Sequence, residues 1–197
     1  MKKGLLIILS GPSGVGKGTV RKEIMRLNLL DNLFYSISMT TRPIREGEQD
    51  GVDYYFVSKE EFLKRVEEGN FLEYAEFVGN LYGTPKDKVE ELRNAGKNVF
   101  LEIEINGASQ VMNNCKDKGV ISFFLMPPNF KALENRIRNR KSEPEEVIQA
   151  RLAKGKKEMK MIDNYDYVVT NYRVNTAARE IVEIINHKIQ ELEQEDA

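Results

Sequence analysis

Apolar residues along the chain gather into short unbroken runs, Leu5–Leu9, Val99–Ile105, Val120–Leu125 and Tyr167–Val169. Runs of that length, joined by stretches of helical periodicity, predict strands buried on both faces of a mostly parallel sheet in an α/β sandwich. Between the first helical pattern (Val20–Leu27) and Val99 the texture changes to short aromatic and β-branched pieces, 34–41, 54–57 and 71–78, punctuated by Gly47, Asp50-Gly51 and Gly79-Asn80. This predicts a small, partly antiparallel lobe inserted into the sandwich. Ser58-Lys59-Glu60-Glu61 reads as a capping box that opens one short helix. Thr84-Pro85-Lys86-Asp87 predicts another, with proline at its first helical position and Ala95-Gly96 at its end. The tract from Asn129 to Lys160 is charged, with sparse apolar positions, and a second capping box, Ser142-Glu143-Pro144-Glu145, divides it into two helices. A final helix from Thr176 to about Glu193 puts Ala177, Ile181, Ile184, Ile185 and Ile189 on a face that packs on the sheet, followed by a frayed acidic tail, Glu191 to Asp196.

A length of 197 residues fits one domain with a full core. Thirty basic against 31 acidic residues leave a net charge of −1. No global field then draws the protein to nucleic acid or membrane, and any cationic site is local. The apolar run after Met1-Lys2-Lys3-Gly4 is too short for a signal sequence, and no stretch approaches the ~18–20 apolar residues of a span, so a soluble cytoplasmic protein is expected. Cys115 is the only cysteine and His187 the only histidine. Together they exclude an intrachain disulfide, cysteine-based and zinc sites, and Ser-His-Asp chemistry. His187 is expected to face solvent.

Directly after the first strand the chain reads Gly11-Pro12-Ser13-Gly14-Val15-Gly16-Lys17-Gly18-Thr19. Gly11 and Gly16 permit positive φ and close backbone approach, so successive N–H groups can converge on an anion at the start of the next helix. Lys17 supplies a mobile positive charge. The usual pattern has Ser or Thr next to the lysine; here Gly18 intervenes, and Thr19 is left to offer the magnesium-facing hydroxyl. The Gly-Lys-Gly-Thr ending resembles that of small nucleotide kinases.

The inserted lobe carries Ser38-Met39-Thr40-Thr41-Arg42-Pro43-Ile44-Arg45-Glu46-Gly47-Glu48, then Asp50-Gly51-Val52-Asp53-Tyr54-Tyr55-Phe56. Arg42 and Arg45 suit bidentate grip on one phosphate, with hydroxyls from Ser38 and Tyr54. Here the chain resembles the guanylate kinase family, and the likeness continues through 71–75, 79–84, 101–108 and 169–171, in the family's order, from Leu5 to about Ile189. The resemblance implies a P-loop kinase core (about 1–33, 87–126 and 161–197), an inserted mixed α/β lobe binding the nucleoside monophosphate (about 34–86) and a helical lid (about 127–160). It implies that Ser38, Arg42, Arg45, Tyr54 and Tyr82 hold the GMP phosphate while Glu73, Thr84 and Glu104 read the base. Guanine offers N1–H and N2–H₂ donors beside an O6 acceptor, which suits carboxylates plus a hydroxyl; adenine does not. It further implies that Arg136, Arg140 and Arg151 contact ATP phosphates or the transition state, with Asn171 beside the adenine.

Glu102 and Glu104 alternate with Leu101, Ile103 and Ile105, so both carboxylates are expected on one face of a buried strand. With Glu104 toward guanine, Glu102 is expected nearer the phosphate loop, holding a magnesium-bound water. The chain departs from the family pattern at Glu104 (often Asp), Asn106 (often Gln) and Arg140-Lys141-Ser142 (typically Arg-Gly-Thr). The expected activity is ATP:GMP phosphotransfer in purine nucleotide metabolism, with dGMP also an acceptor and Mg²⁺ as cofactor; a homodimer is left open. Two alternatives stand beside it: a guanylate-kinase-like module that binds peptides, and a nucleotide kinase with AMP or UMP as acceptor.

Overall fold

In the computed structural model, which describes residues 2–77, 79–139 and 144–195, the described residues form nine strands. They are β1 (Leu6–Ser10), β2 (Leu33–Tyr35), β3 (Met39–Thr40), β4 (Tyr55–Phe56), β5 (Phe71–Phe77), β6 (Asn80–Pro85), β7 (Asn98–Glu102), β8 (Val120–Met126) and β9 (Tyr167–Thr170). The helices are α1 (Lys17–Leu27), α2 (Lys59–Glu67), α3 (Lys86–Asn94), α4 (Ile105–Asn114), α5 (Phe130–Arg138), α6 (Glu145–Glu158) and α7 (Val174–Glu195). All five residues of β1 are buried, the environment in which a continuous Leu/Ile run is stable. β1 is the middle strand of a five-stranded sheet, β2-β7-β1-β8-β9, in which β2 runs parallel to β7 and β8 parallel to β9. A second, mixed sheet has the order β4-β3-β6-β5. Its β6 is antiparallel to β3 and β5, whereas β3 and β4 are parallel. The α/β class with a parallel central sheet therefore holds.

The chain divides into two compact units. The first comprises Met1–Leu6, Asn32–Leu101 and Asn106–Val120. In it, Ser58 Oγ accepts the Glu61 N–H at 3.1 Å and caps α2, whose buried Phe62 stacks on Phe71 with ring centroids 4.4 Å apart. α3 lies against β5 and β6 and carries the fully buried Arg93 in its last turn. The Arg93 guanidinium donates to the Gly4 carbonyl at 2.9 Å and to both Asp117 oxygens at 3.0 and 2.6 Å. The second unit comprises Ile7–Asp31, Glu102–Ile105 and Ile121–Ala197. There α7 packs against α1 and β9 through Ala177, Ala178, Ile181, Val182 and Ile185, and α5 packs against α6. His187 is exposed on α7, with Nδ1 3.1 Å from Glu191.

Four expectations need correcting. The strand expected over 99–105 ends at Glu102, and α4 starts at Ile105, so the apolar/charged alternation outlasts the strand it was taken to mark. Thr84 and Pro85 also close β6, and the helix expected there starts one residue later: Pro85 is the N-cap of α3 and not its first helical residue, and its missing N–H costs nothing at the end of a strand. The face of α7 is shifted, with Ala178 and Val182 buried where Ile184 and Ile189 are only half-buried. That helix continues through Glu195, taking in most of the tail expected to fray. The capping box at Ser142-Glu143 lies outside the described residues; α6 starts after Pro144 with no side-chain cap.

Candidate functional site

The phosphate loop belongs to the second unit. Gly11 (φ 146°) and Gly16 (φ 99°) occupy backbone conformations that side chains rarely adopt. A Cβ at Gly11 would lie 2.4 Å from the Leu125 carbonyl oxygen, and one at Gly16 2.9 Å from Asn171 Nδ2. Both glycines are thus required by conformation and by space. Gly16 is the N-cap of α1, so the loop leads straight into the helix whose first residue is Lys17. Lys17 Nζ folds back to donate to the carbonyls of Gly11 at 2.7 Å and Pro12 at 3.3 Å. Burial pushes its pKa below the ordinary lysine value, and the negative charges of Glu102, Glu104 and Glu158 oppose that shift.

The loop is braced from distant parts of the same unit. Arg136 donates to the carbonyls of Val15 at 2.9 Å and Asn171 at 2.7 Å, and Asn171 Nδ2 donates to Val15 at 2.9 Å. Arg151 Nη2 donates to Ser13 Oγ at 2.9 Å, and the Ser13 N–H reaches Glu158 Oε2 at 3.4 Å. Gly14, Gly16, Thr19, Arg136, Asn171 and Tyr172 line a cleft of about 240 Å³. Asn171 is 2 % exposed, and its Oδ1 is a buried acceptor without a partner among the described residues. Arg140 lies outside the described residues.

Glu102 ends β7 with its carboxylate on Arg21 Nε at 2.9 Å, and Oε1 would be 3.3 Å from a Cβ at Gly18. It therefore borders the first turn of α1, where Thr19 is exposed. Glu104 does not share its setting, contrary to the one-face expectation. Its side chain is 66 % exposed and its carboxylate lies 3.4 Å from Lys154 Nζ, because the strand has ended and the backbone turns into α4.

The remaining predicted residues belong to the first unit. The fifth and sixth strands pair with Glu73 opposite Thr84 across a register shift, and the Thr84 hydroxyl donates to Glu73 Oε1 at 2.6 Å. Glu73 is 8 % exposed and Thr84 2 %, so this is a buried carboxylate oriented by a hydroxyl. A Cβ at Gly107 would come within 2.8 Å of Glu73 Oε2, so α4 reaches the carboxylate because residue 107 has no side chain. Arg42, Tyr54 and Tyr82 come together: the Tyr54 ring is edge-on to Tyr82 at 6.1 Å, and the Arg42 guanidinium carbon lies 5.4 Å from the Tyr54 ring. Ser38 precedes β3 and is half-buried, while Arg45 is exposed.

Two groups close to these sites carry no role in the sequence reading. Glu48 takes a bidentate hydrogen bond from Arg42, at 2.7 and 3.0 Å. Its signal was the opposite charge six residues from an arginine in a turn. Glu158 touches the loop from 145 residues away, and no local pattern marks it.

Residues 3–188 match the family model described as guanylate kinase. The guanylate kinase of Mycoplasma mycoides subsp. mycoides SC is 52% identical over 186 residues, 94% of this chain and 62% of that protein. That of Mesoplasma florum is 52% identical over 183 residues, covering 93% and 61%. That of Lactiplantibacillus plantarum is 55% identical over 185 residues, covering 93% and 88%. The chain thus spans about three fifths of the length of the first two relatives and most of the third. A crystal structure of guanylate kinase from Anaplasma phagocytophilum superposes with a TM-score of 0.72 at 33% identity, over 95% of this chain and 87% of that one. A phosphate loop leading into α1, a buried Glu73 held by Thr84 and a match spanning residues 3–188 agree with one another: the chain belongs to the guanylate kinase family.

Proposed function

We propose that this chain transfers the γ-phosphoryl group of ATP to GMP, and to dGMP, giving ADP and GDP or dGDP. The observation that carries the reading is the loop itself, which keeps its glycine conformations, Lys17 and a helix N-terminus in a family whose name is that of the kinase. A module that only binds peptides has no use for a positive-φ cradle with a half-buried lysine. Residues of about 34–86 are read as the acceptor lobe, about 127–160 as the lid, and the rest as the core.

In this reading the loop N–H groups and Lys17 take the β- and γ-phosphates, with Lys17 exchanging two neutral carbonyl acceptors for charged phosphate oxygens. Arg136, Arg140 and Arg151 add positive charge where the transferred group passes. Asn171 Oδ1 lacks a donor, and the 6-amino group of adenine supplies one where the O6 of guanine does not. On the acceptor side Arg42, Arg45, Ser38, Tyr54 and Tyr82 hold the phosphate of GMP. Glu73 accepts from guanine N1–H and N2–H₂, and Thr84 keeps that carboxylate aimed. An acceptor base without these donors forgoes the hydrogen bonds to Glu73 and sets a lone pair against its carboxylate, a penalty of about 1–3 kcal/mol or more.

Among the described residues no group of three or more His, Cys, Asp or Glu side chains is arranged to hold a metal. The exposed Thr19 hydroxyl and the nearby Glu102 carboxylate fit an ion that keeps most of its waters and rides on substrate phosphates, as Mg²⁺ does. Bound with ATP, it would neutralise charge on the β- and γ-phosphoryl oxygens. The phosphate oxygen of GMP is already an anion, so it forms the new O–P bond as the bond to the ADP oxygen breaks, and no side chain need remove a proton. No helix among the described residues is long and apolar enough to cross a membrane, and the proposal places the reaction in the cytoplasm.

A coupled assay of ADP release with GMP, dGMP, AMP, CMP and UMP tests this. Turnover confined to guanine nucleotides is expected. Turnover of AMP or UMP reassigns the acceptor, and no turnover with any of them points to the peptide-binding alternative.

A further inference from the structure

Arg42 is only 9 % exposed, and its guanidinium is confined on several sides. Its central carbon lies 5.4 Å from the ring centre of Tyr54 and 5.6 Å from that of Phe56. One Nη1–H donates to the Pro43 carbonyl at 2.8 Å. The other Nη1–H and one Nη2–H form the end-on fork, donating to Glu48 Oε2 at 3.0 Å and Oε1 at 2.7 Å. Glu48 Oε2 also accepts the backbone N–H of Arg45 at 2.8 Å, so one carboxylate fixes the side chain of one arginine and the main chain of the next.

A guanidinium carries five N–H groups in one plane. Three are accounted for, and the two left, Nε–H and the second Nη2–H, form the side-on fork. Neither donates to a carbonyl or carboxylate among the described residues; the Tyr82 hydroxyl is the other polar group that acts on this guanidinium. A fork of parallel N–H groups held in a fixed plane, with no carboxylate or carbonyl on it among the described residues, is the shape that two phosphate oxygens require. An acidic side chain next to an anion site would ordinarily weaken it by repulsion. Here the guanidinium stands between the two, and the carboxylate removes the freedom of a long side chain before the ligand arrives.

We propose that Glu48 is a positioning residue for acceptor binding: it holds the plane of Arg42 so that the side-on Nε/Nη2 fork is committed to the phosphate of the nucleoside monophosphate. This rests on the acceptor reading above. Glu48 does not touch the acceptor in this scheme and acts through the Arg42 side chain.

The test is GMP affinity by titration calorimetry on wild type, E48Q, E48D, Arg42→Ala and the Arg42→Ala/E48Q double variant, each also checked by Tm. In E48Q an amide N–H₂ faces a guanidinium N–H and the fork is broken. The dissociation constant for GMP is expected to rise about ten- to a hundredfold, the loss for one charge-assisted hydrogen bond, while that for ATP stays within about twofold. E48D, which keeps the carboxylate, should recover most of the affinity. In the Arg42→Ala background E48Q should change GMP affinity by no more than about twofold, since two residues acting through one contact are not additive. The inference is overturned if E48Q binds GMP like wild type, if it weakens GMP and ATP alike, or if its full effect persists without Arg42. A wild type that binds GMP but does not phosphorylate it sinks the kinase reading alone, and one that binds no GMP sinks both.

Discussion

Lys17 lies where its charged form is disfavoured. Burial lowers its pKa, the surrounding carboxylates oppose that shift, and its ammonium rests on two loop carbonyls that it must leave to meet a phosphate. An electrostatic donor aimed at developing charge is worth about 10²–10³ in rate when removed. Lys17→Ala should therefore lose about that factor in kcat while GMP affinity, measured directly, stays near the wild-type value; a large loss of GMP binding in this variant would contradict the assigned division of roles. The loop was readable because its determinants are contiguous: three glycines, a lysine and the strand before them. Arg42 and Arg45 were readable for a similar reason, lying three residues apart in one turn. The partners that brace the loop were not. The Val15 carbonyl under Arg136 and the contact of Glu158 with the loop depend on where chain segments more than a hundred residues apart come to rest, and local pattern carries no trace of that.

At the scale of elements, hydrophobic runs located β1 and β8 to within a residue at their starts, because strands buried on both faces must be continuously apolar, and located β9 as well, although that edge strand leaves Tyr167 and Val168 exposed. They failed where one element passes into another. Leu101 to Ile105 alternates as a strand should, yet the backbone turns after Glu102, since Ile103 and Ile105 find buried positions on either side of a strand-to-helix junction as readily as in a strand. β6 was missed because its last two residues, Thr84-Pro85, also lead into α3, and the helix signal hid the strand before it. The end of α3 offers a prediction at this scale. Asp117 accepts two hydrogen bonds from the fully buried Arg93, and those bonds hold its carboxyl below the usual aspartate value. A depressed pKa adds stability that is complete above the unfolded-state value near 4 and fades as pH falls through the folded one. Asp117→Asn should thus cost about 1–3 kcal/mol at pH 7, toward the low end because Asp117 is partly exposed and water screens the pair. Urea denaturation at pH 7, 4 and 3 should show the gap between variant and wild type narrowing below pH 4. A gap that is constant with pH excludes the ionic origin.

On the scale of the whole molecule, 30 basic and 31 acidic residues nearly cancel, so affinity for anionic nucleotides has to come from local charge. The predicted acceptor residues from Ser38 to Thr84 lie in the first unit, and the phosphate loop with Arg136, Arg151 and Asn171 lies in the second. Each ligand should then stabilise the chain without the other. A ligand that binds only folded protein adds RT ln(1 + [L]/Kd), about 2.7 kcal/mol at a hundredfold excess over Kd. For a chain of this size 1 kcal/mol moves Tm by about 2–4 °C, so saturating GMP alone, with neither ATP nor divalent ion present, should raise Tm by roughly 5–10 °C. AMP at the same concentration should not. If melting shows two transitions, the GMP shift should fall on the one whose midpoint also drops in Asp117→Asn, since Asp117 belongs to the same unit as Arg42 and Glu73. An equal shift by AMP and GMP would show that Glu73 and Thr84 do not select the base, whatever Arg42 and Glu48 do for the phosphate.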